Sequence, residues 1–160
     1  MTQRPVLFLD VDGTLIPFGT PSDLRGHEPA RPDDAHPLLH RVRPAHGRLL
    51  AALPCDLVWA TTWMQDANDV LAPRLGLPTL PMVEWPDTDS DDDGLHWKTR
   101  GLVDWAQGRP FVWVDDEISP ADRAWVHAHH PVPTLLHRVD ARQGLTDHDF
   151  ALIRDWLRAL

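Results

Sequence analysis

Three short runs of consecutive apolar residues stand out along the chain: Pro5–Asp10 (PVLFLD), Asp56–Thr61 (DLVWAT) and Phe111–Val114 (FVWV). Unbroken apolar runs of this length, rather than alternating ones, are the pattern of strands buried on both faces. Between them the period changes. Pro44–Leu53 (PAHGRLLAAL) predicts a helix with proline in its first turn. Met64–Leu71 places Ala67, Val70 and Leu71 on one helical face, and Pro73 and Gly76 are expected to end it. Trp97–Gln107 predicts a helix, Ser119 caps another to about His129, and Thr146-x-x-Asp149 opens a last one with a capping-box pattern. Val132–His137 reads as a further strand, and Thr79–Glu84 as a weak edge strand in which Pro81 denies a ladder hydrogen bond. Strands alternating with helices predict an α/β fold: a Rossmann-like, mainly parallel sheet of about five strands with helices on both faces.

Two stretches lack any period. Residues 13–44, rich in Pro, Asp, His and Gly, read as a long loop or flap holding at most one short turn. Residues 86–96 read as an acidic loop. Neither carries a repeat or a linker, so residues 1–160 are expected to form a single domain.

Composition narrows the class. The chain has 160 residues, 42% of them hydrophobic and 24% charged, enough to bury a core without covalent staples. A single cysteine, Cys55, excludes an internal disulfide and a Cys-rich zinc site. No apolar run approaches the ~20 residues of a membrane span, and Val6–Leu9 stops at Asp10 before it could serve as a secretory signal. A cytoplasmic protein with no membrane partner is expected. The formal net charge of -9, with no basic cluster, lacks the usual footprint of a nucleic-acid binder. Among 15 basic residues only Lys98 is a lysine. A compact ammonium in a tight site is one reason for such a residue, and chance survival on a surface is the other.

The chemistry gathers where the apolar runs end. In open α/β sheets, ligands bind beyond the carboxyl ends of the strands. The first run ends in Asp10-Val11-Asp12-Gly13-Thr14, the second in Thr61-Thr62, and the third in Asp115-Asp116-Glu117, while Lys98 opens the helix between the last two. Carboxylates clustered at one sheet edge repel one another unless a cation lies among them, and oxygen donors without thiolates favour Mg²⁺.

VLFLDVDGTL resembles the first signature of the haloacid dehalogenase-like (HAD) superfamily of phosphohydrolases. Thr61 in LVWAT matches the hydroxyl of that superfamily's second signature, Lys98 the basic residue of its third, and Asp115-Asp116 in FVWVDDE its acidic fourth. The segments LVWATTW, GLHWKT and RPFVWVDDEISPADRAW are similar to a narrower branch, the HAD domain of bacterial "Swiss Army Knife" RNA repair proteins. The resemblance implies a phosphatase in which Asp10 attacks phosphorus and Asp12 serves as general acid and then base. It implies Mg²⁺ held by Asp10, the main-chain carbonyl of Asp12 and Asp116, with Asp115, Glu117 and Thr14 around these ligands. Thr61 or Thr62 would bind the phosphoryl oxygens, and Lys98 would neutralise charge on Asp10 and the transferring group.

Bland readings stand beside these. Asp-x-Asp-Gly also occurs in calcium loops, but the preceding buried strand fits that poorly. Asp87–Gly94 imitates such a loop better, yet counted from Asp89 its twelfth position is Arg100 rather than a bidentate Glu. His127, His129 and His130 suit a helix C-terminus. Trp59 and Trp113 read as core, whereas Trp63 falls at the mouth of the site. The stretches after the first motif and between Thr62 and Lys98 are too short for a full cap domain, so an open site is expected. Such a site suits a nucleic-acid end, a phosphoprotein, or a small phosphate ester where an oligomer supplies the lid; the oligomeric state stays open. Arg25, Arg31, Arg41 and Arg43 in the flap either contact a second phosphate or offset surface acids. Three functions remain: a Mg²⁺-dependent phosphomonoesterase, a nucleic-acid end-processing phosphatase in RNA repair, and a non-catalytic binding module that keeps the fold.

Overall fold

The computed structural model describes residues 3–20, 38–85 and 94–160. Arg25 and Arg31 of the flap, and the acidic residues Asp87–Asp93, lie outside the described residues. Four parallel strands form one sheet: β1 (Val6–Leu9), β2 (Asp56–Trp59), β3 (Phe111–Asp115) and β4 (Thr134–Arg138), in the order β2-β1-β3-β4. The helices are α1 (Pro44–Ala51), α2 (Ala72–Leu75), α3 (Thr99–Ala106), α4 (Pro120–His129) and α5 (Asp147–Arg158).

The unbroken apolar run of β1 is explained by its central place, since all four of its residues are fully buried. Side chains alternate across the sheet. Leu7 and Leu9, with Val112 and Val114, pack into a core that takes Leu50 from α1, Leu75 from α2, and Ile153 and Leu157 from α5. Val6 and Phe8, with Phe111 and Trp113, face a second core holding Leu102 and Ala106 of α3 and Val126 of α4. The α/β architecture with helices on both faces is therefore the one the alternation predicts. At Gly47 a Cβ would collide with the main-chain carbonyl of Leu75, so only glycine lets α1 lie this close to α2.

Two expectations need correction. Thr79–Glu84 forms no strand: its contact with the sheet is one parallel bridge between Met82 and Trp59. Trp59 N–H donates to the Pro81 carbonyl and Val83 N–H to the Trp59 carbonyl, both at 2.9 Å. Pro78 and Pro81 have no N–H to extend that pairing, and among the described residues the sheet has four strands. The helix expected to end before Pro73 instead passes it. A π-helical turn, Ala67–Leu71, runs into α2, and the backbone turns out at Gly76, where φ is +70°. Pro73 falls in the first turn of α2, where a missing N–H costs little.

The strands end level with one another. Leu9 pairs with Trp59 on one side and Val114 on the other, so the residues that follow emerge side by side. Asp10 N–H donates to the Val114 carbonyl at 3.1 Å and Ala60 N–H to the Leu9 carbonyl at 2.9 Å. Among the described residues no helix is long and apolar enough to cross a membrane.

Candidate active site

At the carboxyl edge, Asp10 and Asp115 are brought against one ammonium. Lys98 Nζ donates to Asp10 Oδ1 and to Asp115 Oδ2, each at 2.8 Å, and all three side chains are buried. Thr14 Oγ1 donates to the other Asp10 oxygen at 3.0 Å. Asp115 is fully engaged: Trp113 Nε1 donates to Oδ2 at 3.3 Å and Glu117 N–H to Oδ1 at 3.0 Å. Burial pushes the Asp10 carboxyl up to about 7 against the pull of Lys98, and the neighbouring charge of Asp115 adds to the rise. Burial opposes the Lys98 charge too, but Asp10 and Asp115 outweigh it and hold the ammonium above the ordinary lysine value. Removing one partner from such a buried cluster leaves an uncompensated charge.

Asp116 is half-buried beside Asp10 and Asp115. Burial and the Asp115 carboxylate raise it to about 6. It lies over Gly13, whose φ is +79° and where a Cβ would overlap the Asp116 carboxylate. The glycine of Asp-x-Asp-Gly thus serves both the tight turn and the approach of an acid from β3. One oxygen each from Asp10, Asp115 and Asp116 falls within 4.8 Å of the others. Three hard donors, two of them holding protons well above the usual carboxylate range, fit a divalent cation such as Mg²⁺. The Asp12 carboxylate is not in this cluster. It accepts the indole N–H of Trp63, at 3.2 Å to Oδ2.

The pocket between these groups measures about 130 Å³ and is lined by Asp10, Asp12, Thr62, Lys98, Asp115, Asp116 and Glu117, with His96 and Trp97. The two threonines divide. Thr62 is exposed and lines the pocket, whereas Thr61 is buried, its Oγ1 accepting the Trp63 N–H at 3.2 Å. That acceptor role leaves the Thr61 hydroxyl proton available to donate.

His96, Trp97 and Asp122 were not singled out by sequence reasoning. Lys98 N–H donates to His96 Nδ1 at 3.1 Å, so the opposite nitrogen carries the proton that faces Glu117 Oε2 at 3.1 Å. Asp122, fully buried at the start of α4, accepts His96 N–H at 2.8 Å, Thr99 Oγ1 at 2.7 Å, and both Ser119 N–H and Ser119 Oγ. Although burial opposes its charge, the bonds from Ser119, Thr99 and His96 hold it below the ordinary carboxylate range. One acid therefore clamps the segment that carries Lys98 to the cap of α4. The signal was present, since Asp122 is the third residue after Ser119 in a capping box, but its bonds to residues 96 and 99 are tertiary.

Other candidates lie elsewhere. His129 Nδ1 pairs with the Trp125 carbonyl and His130 Nε2 with the Arg109 carbonyl, so these rings do not converge. Cys55 is buried, and burial pushes its thiol up to about 12. From the flap, Arg41 donates to the Pro17 and Gly19 carbonyls, pinning residues 17–19 to the 3₁₀ turn Leu39–Arg41.

A family model described as the HAD domain in Swiss Army Knife RNA repair proteins matches residues 6–150. No curated protein and no solved structure matches the chain.

Proposed function

We propose that this chain, which belongs to the family of HAD domains in Swiss Army Knife RNA repair proteins, is a Mg²⁺-dependent phosphomonoesterase working through Asp10. The observation that carries the reading is the buried Asp10 carboxylate at the pocket floor, held between Lys98 Nζ and Thr14 Oγ1 beside Asp116. Both partners fix its orientation and leave it facing a pocket that admits a phosphoryl group.

In this reading an Asp10 oxygen forms a bond to phosphorus as the ester P–O bond breaks, and the leaving oxygen takes a proton from Asp12. Water then attacks phosphorus, gives its proton to Asp12, and the Asp10 oxygen departs with the electron pair, releasing phosphate. The Trp63 indole N–H sets the direction of the Asp12 carboxylate. Lys98 offsets charge on Asp10 and on the transferring group, while Thr62 and the free hydroxyl proton of Thr61 meet the phosphoryl oxygens. Asp10, Asp116 and the Asp12 carbonyl would hold Mg²⁺, which supplies positive charge to the phosphoryl oxygens. Asp115 and Glu117 stay around these ligands, Asp115 being occupied by Lys98, Trp113 and the Glu117 N–H. Residues 1–160 act, in this reading, as one domain in the cytoplasm.

A second reading, removal of a phosphate from a nucleic-acid end, is favoured by the RNA repair context of the matching family. Phosphate release is measured from an aryl phosphate and from 5′- and 3′-phosphorylated RNA oligonucleotides, with Mg²⁺ or EDTA, for the native chain and Asp10→Asn. Release that needs both Mg²⁺ and Asp10 supports the phosphatase, and the oligonucleotides divide the two readings. Silence from folded protein in every well points instead to a binding module. Asp12→Asn is expected to lower turnover by about 10²–10⁴ with the fold intact; turnover at the native rate would exclude Asp12 as the acid.

A further inference from the structure

The pocket of about 130 Å³ is far below the ~300–1,000 Å³ that encloses a drug-sized ligand. It holds the transferring group, so the rest of the substrate must rest on the rim. That rim is acidic, with Asp12, Asp116 and Glu117 among its residues, so the group that rests directly on it is an uncharged one. Among the described residues, Trp97 is the one exposed large hydrophobic side chain lining the pocket, 43% of its surface being open.

Trp97 is also held in place. Its ring stacks on His96 at 5.4 Å and 29°, and meets Trp85 edge-on at 4.9 Å and 80°. The Trp85 indole N–H donates to the Thr61 carbonyl at 3.0 Å, and His96 N–H donates to Asp122. One support of the ring is thus anchored to the segment that carries Thr61 and the other to the cap of α4. The Lys98 ammonium lies 5.4 Å from the centre of the same ring. An indole so placed, with 43% of its surface open next to a phosphate-sized pocket, is a platform for a flat, uncharged ring.

We infer that Trp97 is a stacking subsite for the base of a phosphorylated nucleoside, either a mononucleotide or the terminal nucleotide of an oligonucleotide, whose phosphate enters the pocket. This rests on the phosphatase reading for the place of the phosphate. Base–aromatic stacking tolerates any base, because every base presents a π-face. The subsite therefore selects for the presence of a base and not for its identity.

The test compares kcat/KM for a ribonucleoside 5′-monophosphate, a 5′-phosphorylated oligoribonucleotide and ribose 5-phosphate in the native chain, Trp97→Ala and Trp97→Phe. The ratio of base-bearing to baseless substrate is expected to fall about tenfold in Trp97→Ala, chiefly through KM, and to be largely kept in Trp97→Phe. The two base-bearing substrates distinguish a mononucleotide from an oligonucleotide end. A ratio unchanged by Trp97→Ala overturns the inference, as does an equal loss on all three substrates through kcat, which marks Trp97 as a mere support for Lys98. In a second arm, isothermal titration calorimetry without Mg²⁺ reads binding of the same monophosphate and of ribose 5-phosphate without turnover. If no substrate is hydrolysed, the phosphatase reading fails, and this arm still decides the platform. Tighter binding of the base-bearing ligand that is lost in Trp97→Ala sustains it, and equal binding overturns it.

Discussion

The two ends of the parallel sheet carry mirror-image charge triads. At the amino end, Asp56 lies between two guanidiniums, 3.1 Å from Arg4 and 2.7 Å from Arg109, with the Asp56 side chain 49% exposed. At the carboxyl end, Lys98 lies between Asp10 and Asp115 at 2.8 Å each, and none of the three side chains is more than 7% exposed. Distances are alike, so exposure is what separates them. Water screens the first triad and limits its worth to a fraction of a kcal/mol per pair. The second bears a desolvation cost that its attraction only partly offsets, with the Asp10 carboxyl left at about 7. A buried cluster that costs stability in this way is the kind that functional sites hold.

The comparison breaks most sharply at Lys98. Lys98→Ala leaves two carboxylates buried without their cation, and is expected to cost about 3–5 kcal/mol in denaturant unfolding. Turnover should fall by at least about 100-fold. A stable, active Lys98→Ala protein would place this triad on a par with the exposed one.

Metal should relieve the buried end alone. Asp10 and Asp116 have folded values of about 7 and about 6, above the ordinary 3.8. The folded state therefore binds more protons than the unfolded one, and their contribution to stability declines as pH rises from about 4 to 7. A cation that replaces those protons should raise the melting temperature more at pH 8 than at pH 5. The Mg²⁺-induced shift at the two pH values measures this, and an equal shift at both would contradict it.

Asp122→Asn sharpens the account one layer out. Asn cannot accept all the bonds now made to the carboxylate, and a loss of about 1–3 kcal/mol is expected, with kcat reduced more than KM as Lys98 loosens. The depressed Asp122 value makes its contribution present at neutral pH and lost below the ordinary carboxylate range. The smallest effect is expected at the exposed triad. Asp56→Asn should change stability by under about 1 kcal/mol, less still at high salt, and leave turnover unchanged.

The site was legible largely because the apolar runs end in it. Strands buried on both faces declare themselves by unbroken hydrophobicity, and Asp10, Thr61 and Asp115 are the residues that break it. The level register of β1, β2 and β3 then brings those breaks together. Thr79–Glu84 reads as a strand by its apolar content, which competes with Pro81 and with Pro78 just before it, and the prolines prevail. The capping boxes show where reading a sequence runs out. Ser119-x-x-Asp122 and Thr146-x-x-Asp149 look equivalent, and both form. Yet Asp122 also accepts His96 N–H and Thr99 Oγ1, while Asp149 takes His137 Nε2 at 2.8 Å. Which partner arrives is decided by packing between distant segments. The same holds for Trp97, whose place beside the pocket depends on His96 and Trp85 rather than on any local pattern.

The central claim is that Asp10 takes the phosphoryl group. Its most direct test is acid quenching of the native chain during turnover with Mg²⁺ and an aryl phosphate, followed by peptide mass mapping. The account predicts the mass of one phosphoryl group on the peptide carrying Asp10, lost on raising the pH and absent in Asp10→Asn. Undiminished phosphate release by Asp10→Asn, or a phosphoryl group on any other residue, would contradict it.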